Sequence, residues 1–199
     1  MKYDQWKTTE DVKYLMKKNQ LENYGDLQLH FTNNISNYIN SVIGKRMMGW
    51  NEIMGNNLHN WGNNDDNATT KLSKNAIIHF WKGGLENLKI AIDAGHDLVN
   101  SDHNYTYLDY TYEQIDLNKA YSFNPIPEGL TKEEAKQILG LGTQMWGEWT
   151  PTKKEVYGQT FPRIAAYAET GWTLTNNKNY KRFKSSLTVL FKKWEENLD

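Results

Sequence analysis

Cysteine is absent from the 199 residues, and proline occurs only 4 times. Without cysteine the chain has no disulfide framework, no thiol nucleophile and no cysteine-ligated zinc site. Lysine and arginine number 23 against 24 acidic residues, so a formal net charge of −1 gives no basic surface for nucleic acid or anionic lipid. No apolar run approaches the roughly 20 residues that span a bilayer. The first residues show no signal-peptide pattern, and the cellular location stays open.

Aromatic and amide side chains are plentiful by contrast. Hydrophobic residues make up 38% of the chain, yet it contains 8 Trp, 12 Tyr and 23 Asn. Globular domains usually reach about 45–50% hydrophobic residues. A chain modest in aliphatic residues and rich in indole, phenol and amide groups suits a polar, uncharged ligand such as a sugar. An AT-rich genome produces the same excess of Asn and Lys, so composition alone leaves both interpretations open.

Helical and strand patterns alternate along the chain, with no linker or internal repeat between them. Alternating elements without hairpin signals indicate an α/β fold with a parallel sheet, and the length suits one domain. We predict strands at 45–50, 76–81, 97–100 and 141–146, with an Asn-rich loop at 56–67. The predicted helices begin at Glu10, cover 27–42, 85–94, 152–168 and 180–194, and follow a capping box at Thr131.

Three of the four predicted strands end in tryptophan, at Trp50, Trp81 and Trp146. In parallel α/β folds, ligand-binding residues gather where the strands end. Asp109 and Glu148 lie in the loops after the third and fourth strands. Indole faces match the C–H face of a pyranose, and carboxylates accept hydrogen bonds from its hydroxyl groups. Each residue alone also fits core packing or a salt bridge, so the prediction of a sugar site rests on their shared position.

Five short motifs carry a family resemblance. They are Gly-Trp-Asn-Glu at 49–52, Trp81, Tyr-Leu-Asp at 107–109, Trp-Gly-Glu at 146–148 and Phe-Pro-Arg-Ile-Ala-Ala-Tyr-Ala-Glu at 161–169. In this order and spacing they resemble the C-terminal half of the catalytic barrel of family 20 glycoside hydrolases, the β-N-acetylhexosaminidases. The resemblance covers nearly the whole chain, as a single domain over 1–199. It implies parallel βα units corresponding to strands five to eight of a TIM barrel, which together form a half-barrel.

The resemblance also implies roles for six side chains. Three indoles would wall the pocket for the N-acetyl sugar, one phenol would bind the acetamido oxygen, and two carboxylates would hold the O4 and O6 hydroxyls. Neither a metal nor a cofactor is implied. The residues concerned are Trp50, Trp81 and Trp146 for the wall, Tyr107 for the acetamido oxygen, and Asp109 with Glu148 for the hydroxyls.

The chemistry of the family needs groups that this sequence lacks. In these enzymes the acetamido oxygen of the substrate is the nucleophile, and the protein supplies a general acid and an orienting carboxylate as an adjacent Asp-Glu pair. No adjacent Asp-Glu occurs in the chain, and the first-strand arginine of the family is also missing. Asn51 stands where the family usually has Asp. Because residues 3–7 resemble the segment shortly after the pair, we expect the chain to begin just downstream of the acid.

The implied activity is hydrolysis of terminal non-reducing N-acetyl-β-D-hexosamine, GlcNAc or GalNAc, with this chain supplying the pocket. Two alternatives remain open. The chain is either a truncated or split product that acts only as an inactive sugar-binding or interaction fragment, or one subunit of a two-chain enzyme. A half-barrel has two open sheet edges, so we expect a homodimer or a partner chain carrying the missing N-terminal half-barrel. Nucleic acid and membrane are not expected partners.

Overall fold

The computed structural model describes residues 4–55 and 68–196, so the predicted Asn-rich loop at 56–67 lies outside the described residues. The chain divides into two compact units. The first comprises Met1–Val99 and Thr131–Leu139, and the second Asn100–Leu130 and Gly140–Asp199.

Helices and strands alternate in the described residues. Shorter turns of π-helix and 3-10 helix occur at Ile39–Ile43, Asn51–Met54 and Thr175–Asn177. In chain order the longer elements are α1 Asp4–Thr8, α2 Glu10–Lys18, α3 Tyr24–Tyr38, β1 Met48–Trp50, β2 Ile77–Phe80, α4 Gly84–Asp93, β3 Leu98–Asn100, α5 His103–Thr106, α6 Leu117–Ser122, α7 Lys132–Ala135, β4 Ile138–Leu141, α8 Lys153–Thr160, α9 Arg163–Trp172 and α10 Tyr180–Glu195.

The four strands form one sheet in the order β1-β2-β3-β4. β1 and β2 are parallel, and their register runs from Met48↔Ile77 to Trp50↔His79. Neighbouring parallel strands need a crossover connection, and α4 lies between β2 and β3 in the sequence. The predicted α/β class with parallel βα units is confirmed. Among the described helices, none has the length and apolar character needed to cross a bilayer.

In the first unit, the buried side chain of Asp26 fixes the segment that leads into β2. Its carboxylate accepts hydrogen bonds from the backbone N–H groups of Thr69 and Thr70 at 2.8 and 2.7 Å, and from the Thr69 hydroxyl at 2.9 Å. Burial opposes ionisation of Asp26, but these hydrogen bonds prevail and lower its pKa. The start of α3 is thereby tied to residues 69–70. The apolar core of this unit includes Leu27, Leu29, Ile78, Phe80, Leu88, Ile92 and Leu98.

The helix predicted over 27–42 is confirmed, and Gly44 ends it in the left-handed conformation at φ 66°. Its apolar residues, however, are not all buried. Leu27 is in the core, whereas the side chains of Phe31, Tyr38 and Val42 are 66%, 58% and 64% exposed. These residues recur at helical spacing, so α3 and the π-turn after it carry an apolar face that the first unit leaves uncovered.

In the second unit, α6 packs on α9, and the ring of Tyr121 stacks on Phe183 of α10 with centroids 4.7 Å apart. Lys178 joins these elements, because its amine donates to the Tyr121 carbonyl, to Phe123 O at 3.2 Å and to Thr170 Oγ1 at 3.0 Å. The region after β3 is therefore held to the C-terminal helices through both apolar and polar contacts.

The strand predicted at 141–146 is wrong in position, since β4 is Ile138–Leu141. The capping box at Thr131 is confirmed, but the helix that it opens is a single turn. The chain therefore enters the sheet early, and the Leu98 N–H already donates to Gln137 O at 2.7 Å. Trp146 consequently does not end a strand, whereas Trp50 and Trp81 lie where predicted, at the end of β1 and directly after β2.

The helix predicted over 152–168 is also wrong in extent. Its capping box at Thr152 is confirmed, but α8 stops at Thr160 and α9 begins at Arg163. Pro162 stands between them and has no N–H to continue the helical ladder. Arg163 is therefore the first residue of a separate helix, and its side chain contributes to the site described next.

Candidate functional site

Trp50 and Trp81 lie together in the first unit. The Trp50↔His79 register sets the Trp50 indole on the His79 ring, with centroids 4.2 Å apart and an interplanar angle of 11°. Trp81 meets Trp50 edge-on at 6.4 Å. Burial lowers the pKa of His79, so a neutral imidazole stacks on Trp50 near pH 7. The result is a pair of nearly perpendicular indoles, with the His79 ring stacked on one face of Trp50.

Asn51 and Glu52 hold Trp81 in place. Both carboxylate oxygens of Glu52 lie 3.1 Å from the indole Nε1, which donates to them. Asn51 is fully buried, and its Oδ1 accepts from the Trp81 backbone N–H at 3.3 Å. The Asn51 amide also donates to Lys82 O at 2.9 Å. A carboxylate at position 51 has no donor for Lys82 O, so only the amide makes both of these contacts.

Tyr107 lies in the second unit beside a short parallel bridge. Its partner in that bridge is Gln144, and the next N–H, of Leu108, donates to Gln144 O at 2.7 Å. The Tyr107 ring is buried and contacts the rings of His103 and Tyr110 at 6.0 and 5.5 Å. The imidazole Nδ1 of His103 is in turn 3.0 Å from the Tyr110 hydroxyl. This ring cluster orients the phenol that the family resemblance assigns to the acetamido oxygen.

Asp109 is a buried carboxylate with spare hydrogen-bonding capacity. Its side chain is only 9% exposed, and Oδ1 has no hydrogen-bond partner among the described residues. Burial raises the pKa of Asp109, while the Trp146 N–H and the positive charge of Arg163 act in the opposite direction. A hydroxyl group that donates to a desolvated carboxylate oxygen of this kind forms a particularly favourable hydrogen bond.

Trp146 and Glu148 lie close to Asp109 in the second unit. The Trp146 N–H favours the ionised form of Asp109, and the charge of Glu148 disfavours it. The Trp146 indole is 41% exposed, and the Glu148 carboxylate is also exposed. The structure therefore brings together the four candidate residues of this unit at one place, although Trp146 arrives there from a turn rather than from a strand end.

Sequence reasoning missed Arg163, to which it gave no role beyond membership of the motif at 161–169 and of a predicted helix. The side chain is fully buried, and its guanidinium donates to Leu108 O at 2.6 Å and to Tyr110 O at 2.8 Å. These carbonyls belong to the residues directly before and directly after Asp109. The available signal was an arginine inside an otherwise apolar helical run, directly after a proline. In the described part of the chain, no three His, Asp or Glu side chains are grouped to hold a metal ion.

The chain is similar in sequence and structure to known β-hexosaminidases. A β-hexosaminidase of Porphyromonas gingivalis is 26% identical over 192 residues, which cover 90% of this chain and 23% of that protein. The family 20 exo-β-N-acetylglucosaminidase of Vibrio harveyi, solved with N-acetylglucosamine, aligns with a TM-score of 0.71 and 27% identity over 92% of this chain and 28% of its own. A β-N-acetylhexosaminidase structure from Bacteroides fragilis aligns with a TM-score of 0.76 at 24% identity, which shows the fold.

This chain thus spans 23% and 28% of the first two relatives. The model of the glycosyl hydrolase family 20 catalytic domain matches residues 1–175. Since that match covers most of the sequence and both sets of candidate residues, the chain belongs to glycosyl hydrolase family 20.

Proposed function

We propose that this chain carries the sugar-recognition part of a β-N-acetylhexosaminidase, a glycosidase that acts on terminal non-reducing N-acetyl-β-D-hexosamine in glycans. The observation that carries the proposal is the Asp109 carboxylate, which is buried with Oδ1 unpaired among the described residues. A sugar hydroxyl would satisfy that acceptor. The names of the relatives support the substrate class, because they are β-hexosaminidases and one was solved with N-acetylglucosamine.

The first unit would contribute the apolar contacts. The perpendicular indoles of Trp50 and Trp81 suit a methyl group and the C–H face of a sugar ring. Because Glu52 and Asn51 fix Trp81 through both its indole and its backbone, the indole loses little freedom when a ligand binds. Preorganisation of this kind lowers the entropic cost of binding a small ligand.

The second unit would contribute the polar contacts. In the proposal, the Tyr107 hydroxyl donates to the acetamido oxygen as that oxygen attacks the anomeric carbon and the glycosidic C–O bond breaks. Water then opens the resulting oxazolinium ring, so that the product keeps its anomeric configuration. Asp109 and Glu148 would accept hydrogen bonds from the O4 and O6 hydroxyls, and the Trp146 indole would pack against the sugar ring.

These residues supply neither the proton for the leaving oxygen nor the carboxylate that orients the acetamido group. No adjacent Asp-Glu pair occurs in the 199 residues, and the proposal therefore places the general acid on polypeptide outside them. Loss of a general acid costs about 10²–10⁴-fold in rate. We accordingly propose that the 199-residue chain recognises the sugar but does not turn over substrate by itself.

A turnover assay with complementation tests this assignment. The chain alone should release no nitrophenol from nitrophenyl β-N-acetylglucosaminide. Addition of a second polypeptide that carries the first half of a family 20 barrel with its Asp-Glu pair should restore release, whereas the same polypeptide with the pair changed to Asn-Gln should not. Ordinary hexosaminidase turnover by the chain alone contradicts the division of roles. No restoration, together with no sugar binding, contradicts the proposed function.

A further inference from the structure

Arg163 is a buried cation that forms no ion pair with a carboxylate of the described residues. Its side chain is fully buried, and within the described ranges no carboxylate lies at ion-pair distance from it. Burial accordingly lowers its pKa. Burial of an arginine lowers the stability of the fold unless its N–H groups are hydrogen-bonded and its charge interacts favourably with nearby groups.

Hydrogen bonds from Arg163 reach several backbone carbonyl oxygens and one amide oxygen. Nη2 donates to Leu108 O at 2.6 Å, and Nη1 donates to Tyr110 O at 2.8 Å and to Ile115 O at 3.1 Å. A planar guanidinium holds its donors in a fixed fork. Leu108 O and Tyr110 O are therefore set at a defined separation, and the backbone of Asp109 runs between them.

The fork itself is anchored from the other side. Gln159 accepts from Nε at 2.9 Å through its backbone carbonyl and from Nη2 at 2.7 Å through its side-chain oxygen. The guanidinium carbon also lies 4.4 Å from the centre of the Tyr112 ring. The cation is therefore clamped between the end of α8 and the loop that carries Asp109. The negative charge of Asp109 also favours the charged form of Arg163.

We propose that Arg163 is the positioning residue of the Asp109 carboxylate: its fork holds the backbone carbonyls of Leu108 and Tyr110, the residues on either side of Asp109, and its charge supports Asp109 as an anion. Arg163 thus acts on the sugar through Asp109, and this consequence rests on the proposed function. The positioning itself does not, because it concerns the geometry and ionisation of Asp109 in the sugar-free chain.

Lys178 offers a matched control in the same unit. It is a half-buried cation that, like Arg163, donates to backbone carbonyls, those of Tyr121 and Phe123, and it lies 4.7 Å from the centre of a tyrosine ring. Its acceptors belong to Tyr121 in α6, to Phe123 directly after α6 and to Thr170 in α9, and none of these lies in residues 107–110. Lys178→Met therefore removes a comparable cation and comparable packing without touching the neighbours of Asp109.

The test is a carbon-13 NMR titration of the Asp109 carboxyl in the full 199-residue chain, assigned with Asp109→Asn. In Arg163→Met the carboxyl should titrate at higher pH than in the wild type, whereas Lys178→Met should leave its titration unchanged even if it lowers the melting temperature. An unchanged titration in a folded Arg163→Met variant overturns the proposal, and so does an equal shift in Lys178→Met.

Arg163→Lys keeps the charge and removes the fork, and it decides the matter if Arg163→Met does not fold. The backbone amide resonances of residues 108–110 should move in this variant while the Asp109 titration stays near that of the wild type. N-acetylglucosamine affinity should fall about tenfold, as expected for the loss of one hydrogen-bonded constraint. Unmoved amide resonances overturn the proposal. If the wild-type chain binds no sugar, the proposed function fails while the titration and the amide resonances still decide the role of Arg163.

Discussion

Asp109 combines two properties that oppose each other. Its burial leaves an acceptor oxygen ready for a ligand, and the same burial disfavours the charged carboxylate in the free protein. Strained or poorly satisfied groups at binding sites commonly cost stability. The structure therefore predicts that the residue best suited to bind a hydroxyl also weakens the fold.

Asp109→Asn should separate these properties. A pKa raised by folding means that the folded state binds the proton more tightly than the unfolded state does, so the carboxylate costs stability above the unfolded pKa. At pH 7 the variant should be more stable by about 0.5–2 kcal/mol. The difference should shrink as the pH falls and the wild-type carboxyl takes up its proton. Urea unfolding between pH 4 and 8 measures this, and a variant less stable than the wild type at pH 7 contradicts it.

The hydrogen bonds from the Trp81 indole to Glu52 should contribute to sugar binding. Glu52→Leu removes both acceptors of the indole N–H, whose hydrogen bonds to a charged group are worth about 1.5–3 kcal/mol. N-acetylglucosamine affinity should fall about tenfold or more, and the indole N–H resonance of Trp81 should shift. Glu52→Gln keeps one acceptor oxygen and should lose less.

The control for Glu52 is Glu86→Leu, which removes an exposed carboxylate from α4 of the same unit. It should leave both the sugar affinity and the Trp81 resonance unchanged. If Glu52→Leu behaves like this control, the hydrogen bonds to Trp81 have no role in binding.

The candidate site residues that belong to family motifs could be predicted from the sequence. The residues that position them through hydrogen bonds could not. Trp81 and Asp109 stand in recognisable short motifs. The contacts of Asn51 with Lys82 and of Arg163 with Leu108 join positions 31 and 55 residues apart. Such contacts form only when turns and helix breaks bring distant segments of the chain together, and no local sequence pattern encodes them.

Helix starts were predictable to the residue where a capping box exists, and strand ends were not. The capping boxes at Thr131 and Thr152 both form, because each threonine hydroxyl and the glutamate three residues on satisfy local N–H groups. The early end of α7 depends instead on a non-local hydrogen bond from Leu98 to Gln137. This is why β4 lies three residues before its predicted start.

Thr152→Ala should cost about 1 kcal/mol of unfolding free energy, since it removes the hydroxyl that accepts from the Glu155 N–H at 3.2 Å. Thr9→Ala is the matched control, because Thr9 precedes α2 as an N-cap without a side-chain capping bond. Its cost should stay below about 0.5 kcal/mol. Equal losses in urea unfolding of the two variants would show that the box contributes nothing beyond helix propensity.

The uncovered apolar face of α3 bears on how the whole chain behaves in solution. Phe31, Ile35, Tyr38 and Val42 are all exposed at helical spacing. Contiguous exposed apolar surface commonly marks an interaction site, and the four-strand sheet adds edges at β1 and β4. The resemblance to half of a barrel gave the expectation of a partner, and it remains a proposal that the isolated chain takes a second copy.

Light scattering at micromolar concentration should show the chain as a dimer. Phe31→Lys with Tyr38→Lys should shift it toward monomer, because two charges in the apolar face oppose its burial. Val189→Lys, at an exposed apolar position of α10, is the matched control and should leave the dimer intact. A wild-type chain that is monomeric and unfolds cooperatively would contradict the proposal.

Family membership was readable from the ordered motifs, but what the chain can do alone was not. The matched residues 1–175 carry the indoles, the phenol and the two carboxylates. The missing Asp-Glu pair separates recognition from catalysis in the proposal. Sugar binding by the chain itself is therefore its central claim.

A nitrogen-15 NMR titration of the 199-residue chain with N-acetylglucosamine, and in parallel with glucose, tests that claim most directly. We expect saturable shifts in the millimolar range at the indole N–H groups of Trp50 and Trp81 and at the amides of Tyr107 and Asp109. Glucose, which lacks the acetamido group, should bind more weakly, and Asp109→Asn, which keeps an acceptor oxygen but loses the charge, should weaken sugar binding about tenfold. Resonances that do not move, or that move equally with both sugars, would contradict the account.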